Sequence, residues 1–267
     1  MGDERTQLQL DDALIWAAHC GDATEVGELL RLGASGLAKE SSALCTAAQA
    51  GHAECVQALL PSSNARANNS SAVRMAALRG SARCVEMLIP SSDCEADSMA
   101  LIHASANGYA DCVKLLIPVS DPMTEDCEAL IAAARMGHAE CVRLLIPVSD
   151  PGARDSWALR QAVSSRSVEC VRLLLPVSSP LAHAKGILRS AANSGQADLL
   201  VEILACGADF AFVCDLELLA VEAESCGEPG QAAIIRAFVE RRALSSTKKI
   251  QAPASTSAAG AGSRARL

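Results

Sequence analysis

Five of the twelve cysteines in this 267-residue chain recur at one place in its sequence, and they are the residues whose type and spacing could do chemistry. Cys55, Cys84, Cys112, Cys141 and Cys170 follow one another at intervals of 28 or 29 residues. Thiols in a row could form disulfides, ligate zinc or act as nucleophiles. With one rung per structural repeat, and helices packed at their usual spacing of about 10 Å, neighbouring thiols stand too far apart for a disulfide or a shared zinc tetrahedron. No Cys-x-x-Cys occurs. The ladder therefore reads as free thiols acting as small hydrophobes, and a large thiol count fits a reducing compartment. The histidines are scattered, no Ser-His-Asp or Cys-His pair recurs, and no glycine-rich phosphate loop is visible. The expectation is a protein that is not an enzyme, with no catalytic, cofactor or metal site. A thiol or redox role for the ladder is the minor alternative.

The elements that hold those cysteines come from a period. Gly21, Gly51, Gly80, Gly108, Gly137, Arg166 in the glycine's place, and Gly195 are spaced 28 to 30 residues apart, the mark of a stacked repeat protein. In the copy from Glu128 to Ser156, Ala129, Leu130, Ala133 and Ala134 share one face of a short helix. Gly137 supplies a left-handed helix end. Cys141, Val142, Leu145 and Ile146 then give a second helix, stopped at Pro147. Helices of about two turns are below the ~12 to 15 residues that hold alone in water, so each pair must bury its face on the next. Pro61, Pro90, Pro118, Pro147 and Pro176 stop the second helices at one place, with Pro122, Pro151 and Pro180 stiffening the turns that follow. Ser41, Ser70, Ser98 and Ser156 are placed to cap the first helices. Arg166, a side chain at a positive-φ position, predicts a reshaped turn. The fold class is all-α, an α-solenoid of stacked helix-turn-helix repeats. Residues 1–11 are a flexible N-terminus, 12–243 the repeat domain with about seven repeats and a closing helix pair, and 244–267 a disordered tail rich in Ser, Ala and Gly.

Net charge is −8, from 23 basic and 31 acidic side chains. An acidic body disfavours nucleic acid and anionic membrane surfaces. Aromatic residues are only 2% of the chain, which argues against base stacking or an aromatic pocket. No apolar run approaches the ~20 residues of a membrane span, and MGDERTQLQLDD lacks the apolar block of a signal peptide. A soluble cytoplasmic monomer is expected. Two terminal motifs compete with that location. Met1-Gly2 with Thr6 is a loose myristoylation match weakened by Asp3 and Glu4, and Ala265-Arg266-Leu267 is a variant of the Ser-Lys-Leu peroxisomal address. Delivery to a peroxisome-like matrix is the alternative functional reading.

Leu44, Ala47, Ala48, Gly51, His52, Val56, Leu59 and Leu60, repeated as Leu130, Ala133, Ala134, Gly137, His138, Val142, Leu145 and Ile146, resemble an ankyrin repeat protein, and Cys206-Gly207-Ala208-Asp209 matches the family's ending. Two departures stand out. The Thr-Pro-Leu-His helix start is Ser42-Ala43-Leu44-Cys45 here, and the period is about 29 against the usual 33. The missing residues fall in the connector, so short connectors are expected in place of full β-hairpin fingers.

The resemblance implies a protein-protein interaction scaffold or adaptor whose partner docks on the concave side, at the ends of the first helices. The variable residues there are Gln49, then Leu78 and Arg79, Asn107, Arg135 and Met136, Ser164, and Asn193. Arg74, Arg160 and Arg189 lie in the same helices. With acidic connectors (Asp93, Glu95, Asp97; Glu125, Asp126), these predict a mixed-charge groove for a protein segment. Asp111 with Lys114, Glu140 with Arg143, and Glu169 with Arg172 sit three apart on the second helices and read as a solvated convex face.

Overall fold

The computed structural model describes residues 2–94, 98–178, 184–192, 197–206 and 216–251. Its helices come in pairs: α1 (Gly2–Cys20) with α2 (Ala23–Arg31), α3 (Ala38–Ala50) with α4 (Ala53–Leu59), and α5 (Ala67–Arg79) with α6 (Ala82–Leu88). Then follow α7 (Met99–Ala106) with α8 (Ala110–Leu116), α9 (Thr124–Met136) with α10 (Ala139–Leu145), and α11 (Ala153–Ser164) with α12 (Val168–Leu174). The series closes with α13 (Ala184–Ala192), α14 (Ala197–Cys206), α15 (Leu216–Ser225) and α16 (Pro229–Gln251). Odd-numbered helices pack side by side in one layer and even-numbered helices in a second, which makes a two-layer solenoid. Among the described residues there is no strand. Short connectors replace hairpin fingers, as the period implies.

One core runs the length of the stack. The same side chains recur from pair to pair: Leu44, Ala47, Cys55, Val56 and Leu59, then Leu130, Ala133, Cys141, Val142 and Leu145, all fully buried. Each first helix ends in the same way. Gly137 (φ 79°) donates to the Ala134 carbonyl and His138 donates to that of Ala133 at 2.9 Å, satisfying carbonyls the helix leaves open. The six-residue bond recurs onto Ala17, Ala47, Ala76, Ala104, Ala162 and Ala223. The last belongs to α15, so Gly227 closes the eighth pair with the regular turn.

Arg166 corrects an expectation. It adopts φ 59°, and Ser167 donates to the Ala162 carbonyl at 3.0 Å as its glycine-bearing counterparts do. The turn is conserved in shape, and the side chain is strained to fit it because the stacked neighbours fix where α11 ends and α12 begins.

The serines correct another. Ser41 and Ser70 make no cap to their own helices; they sit at φ 63° and 56° and accept hydrogen bonds from the connector of the following repeat. Asn64 N donates to Ser41 Oγ and Asp93 N to Ser70 Oγ, both at 2.9 Å, and Asp121 N donates to Ser98 Oγ at 3.1 Å. Cys127 holds the same place, with Asp150 N at 3.3 Å from its sulfur. Ser156 is buried at the equivalent position.

The connectors are compact because three consecutive residues turn left-handed inside the first turn of α3, α5, α9 and α11, ahead of the regular part of each helix. Lys39 to Ser41, Asn68 to Ser70, Glu125 to Cys127 and Arg154 to Ser156 all have φ between 47° and 69°. Each such residue costs about 1 to 2 kcal/mol, Asn less than most. Ahead of them an Asx turn fixes the chain: Asn64, Asp121 and Asp150 accept from the amides of Arg66, Met123 and Gly152 at 2.8 to 3.0 Å.

At both ends helix runs past the residues assigned to the repeat domain. Residues 2–11, expected to be flexible, continue α1, held where Asp11 accepts from Ser35 N at 2.7 Å and Gln7 donates to the Gly33 carbonyl at 2.9 Å. At the other end α16 runs to Gln251, eight residues into the expected tail. Residues 252–267, with the Ala265-Arg266-Leu267 motif, lie outside the described residues, as do Glu95, Asp97, Pro180, Gly195 and Gly207-Ala208-Asp209.

The two kinds of turn residue make opposite predictions. Arg166→Gly removes strain and raises stability by about 1 kcal/mol, a rise of roughly 2 to 4 °C in Tm for a domain of this size. Gly80→Ala lowers it, because the added Cβ would lie 2.4 Å from the Tyr109 ring at φ 74°. Thermal melts of both variants measure the difference.

Candidate functional site

The outward face of the first-helix layer is set by the helix step. Two residues before each closing glycine and the one before it point outward, as do those a turn and two turns earlier. In α5 this places Arg74, Met75, Leu78 and Arg79 together; in α7, Met99, Ile102, His103 and Asn107; in α9, Glu128, Arg135 and Met136, with Ile131 and Ala132 of the same register buried; in α11, Trp157, Arg160, Gln161 and Ser164. Gln49 is exposed in the same register on α3. By this register Gln49, Arg74, Leu78, Arg79, Asn107, Arg135, Met136, Arg160 and Ser164 share one face, and Asn193 lies outside the described residues.

The arginines differ in how far they are committed. Arg79 Nε donates to the Gln49 carbonyl at 3.3 Å, bridging two repeats. Arg74 Nη2 donates to the Asn68 carbonyl at 2.9 Å in the left-handed turn below it. Arg160 lies over the Trp157 ring, 4.6 Å from its centroid. Arg135 comes within 3.8 Å of Glu128, which also faces Arg154 at 3.7 Å. At about half exposure such a pair is worth a fraction of a kcal/mol and exchanges easily. Arg189 is committed to a neighbour. Its guanidinium makes a two-pronged pair with Glu222 on α15 at 2.6 and 2.8 Å and ties two repeats together along the first-helix layer.

The sequence reading named Leu78 and Met136 on this face but missed its other apolar members. Met75, Met99 and Ile102 are half-buried and Met136 is 58% exposed. Counting one further turn back from Leu78 and Arg79 would have found them. Trp16 was missed in the same register of α1, where it is 66% exposed with its ring 5.9 Å from that of His19.

The second-helix face behaves as predicted. Asp111 and Lys114, Glu140 and Arg143, and Glu169 and Arg172 pair at 3.3 to 3.5 Å, and Arg143 and Arg172 reach on to Glu169 and Glu202 of the next repeats. These are exposed structural pairs.

The cysteine ladder is buried throughout, and the described cysteines are free thiols. Burial pushes Cys55, Cys84 and Cys170 up, and pushes Cys112 and Cys141 up to about 11, with Asp111 and Glu140 adding to the effect. A raised pKa keeps the thiol protonated and weakens it as a nucleophile or metal ligand. Among the described residues no group of three or more His, Cys, Asp and Glu could hold a metal ion, and no helix is long and apolar enough to cross a membrane. His52, expected to be structural, sits over Gly21 with Nε2 3.1 Å from the His19 carbonyl, and His138 covers Gly108 in the same way.

Comparison with known proteins agrees with this geometry. The family model for ankyrin repeats matches three overlapping times, at residues 14–100, 73–155 and 101–185. Among solved structures the chain resembles the crystal structure of the human ASB11 ankyrin repeat domain, with TM-score 0.63 and 21% identity over 72% of this chain and 96% of that one. No curated protein matches it in sequence.

Maleimide labelling of the native protein should mark Cys20 and Cys226, which are exposed, and leave the five ladder thiols unmodified until denaturant is added. Because burial pushes Cys112 and Cys141 up to about 11, raising the pH from 7 to 9 should leave both unlabelled in the native protein.

Proposed function

The chain belongs to the ankyrin repeat family, and from that premise we propose that it is a non-enzymatic adaptor that binds a protein partner on the outward face of its first-helix layer. Ankyrin repeats are generally protein-protein interaction modules. The observation that carries the reading is a contrast of charge. The whole chain is net acidic at −8, yet the outward register of α5, α7, α9 and α11 carries Arg74, Arg79, Arg135 and Arg160 against Glu128, with the acidic Glu125, Asp126 and Asp155 set back in the left-handed turns that open α9 and α11. Half-exposed methionine and isoleucine side chains lie among those arginines. Apolar area with arginine around it is the composition of a recognition patch. The second-helix face has matched acid-base pairs instead, which leaves little for a partner to neutralise.

The test is capture of partner proteins on the full-length chain and on Arg79→Ala/Arg135→Ala. Both side chains are exposed, so the fold should survive, and melts of the two proteins check that. The captured partner should bind the double variant at least about ten-fold more weakly, the equivalent of about 1.4 kcal/mol. Equal binding would remove this face as the docking site.

A further inference from the structure

The arrangement of charge and apolar surface along the first-helix face says what kind of segment it fits. Arg79 on α5 and Arg160 on α11 stand at two ends, three repeats apart, a span of about 30 Å at ~10 Å per packed helix. Between them the outward residues of α7 are Met99, Ile102, His103 and Asn107, without a carboxylate or a guanidinium, and Met136 stands exposed on α9. The face is therefore basic at its two ends and apolar in its middle, with the Arg135–Glu128 pair beside the apolar stretch. Arg160 is also held in place on the Trp157 ring, so its guanidinium need not be ordered on binding.

We infer that this face takes a protein segment with an apolar centre and carboxylates toward both ends. The inference rests on the adaptor reading and adds the partner's chemistry to it. Charge complementarity selects this occupant over the others available. The chain's own residues 252–267 carry Arg264 and Arg266 and no acidic residue, so they would be repelled at both ends. A nucleic acid would place phosphates over Met99 and Ile102 and leave them unmatched. A second copy of the chain would offer its acidic connectors, of which Asp126 is paired with Arg154 at 3.0 Å and the Asx-turn carboxylates of Asp121 and Asp150 are engaged by backbone amides; dimerisation is therefore one arm of the test below. About 20 residues of helix, or about 9 of extended chain, cover 30 Å.

The experiment is selection from a displayed library of random 20-residue peptides on the full-length protein, followed by anisotropy titration of the enriched peptides. Titrations use the native chain, Arg79→Glu/Arg160→Glu, and Ile102→Lys/Met136→Lys, each checked by thermal melt. The expected pool has Leu, Ile, Met or Phe at its centre and Asp or Glu toward both ends. Its members should lose at least ten-fold in affinity to each double variant and weaken as salt is raised. Peptides that are basic or uncharged, and that lose affinity only to Ile102→Lys/Met136→Lys, would overturn the inference and leave the docking face standing. Peptides indifferent to both variants, or no enrichment at all, would overturn both. Concentration-dependent dimerisation abolished by Arg79→Glu/Arg160→Glu would assign the face to a second copy and overturn the inference as well.

Discussion

A seven-residue helix such as α10 closes too few intrahelical hydrogen bonds to persist in water, so the covering of Cys141, Val142 and Leu145 by α8 and α12 is the interaction on which the structure depends. Fully burying an aliphatic side chain is worth about 1.5 to 3 kcal/mol, and each pair contributes several such side chains to both of its neighbours. That burial exceeds what the short helices lack, and it reaches only as far as the adjacent repeat. Stability is then a sum of neighbour terms and not the property of a central core.

The same dependence explains features that look unfavourable in isolation. Three left-handed residues in a connector oppose folding by several kcal/mol taken together, yet the pattern occurs four times among the described residues. Each connector is held from both sides: its Asx carboxylate or amide closes a local turn, and its amide donates into the repeat before it. A chain with a 29-residue period has no room for a hairpin, and the left-handed turn reverses direction within the residues available. The outward ends of the first helices are consequently presented without projecting fingers, and recognition falls to the helix face itself.

The period, the glycine turns and the buried ladder were legible because each has a single physical cause. Only glycine enters φ near 80° without strain, and only small or aliphatic side chains fit between stacked helices. Arg166 misled because the sequence reports the cost of a side chain there but not the packing that enforces the turn. Ser41 and Ser70 misled because a serine ahead of a helix looks the same whether it caps its own amides or accepts one from the next repeat. The site was half legible. Helical register placed Arg79, Arg135 and Arg160 on one face, whereas the pairing of Arg189 needed Glu222, 33 residues away, whose position depends on how the repeats stack.

The central claim is that a helix pair has no stability of its own and acquires it from its neighbours. Circular dichroism of the fragment 124–151, compared with 38–178, tests it most directly. The account predicts an unfolded spectrum for the single pair and a helical, cooperatively melting spectrum for the five-pair fragment. A single pair that is helical and melts cooperatively would contradict it.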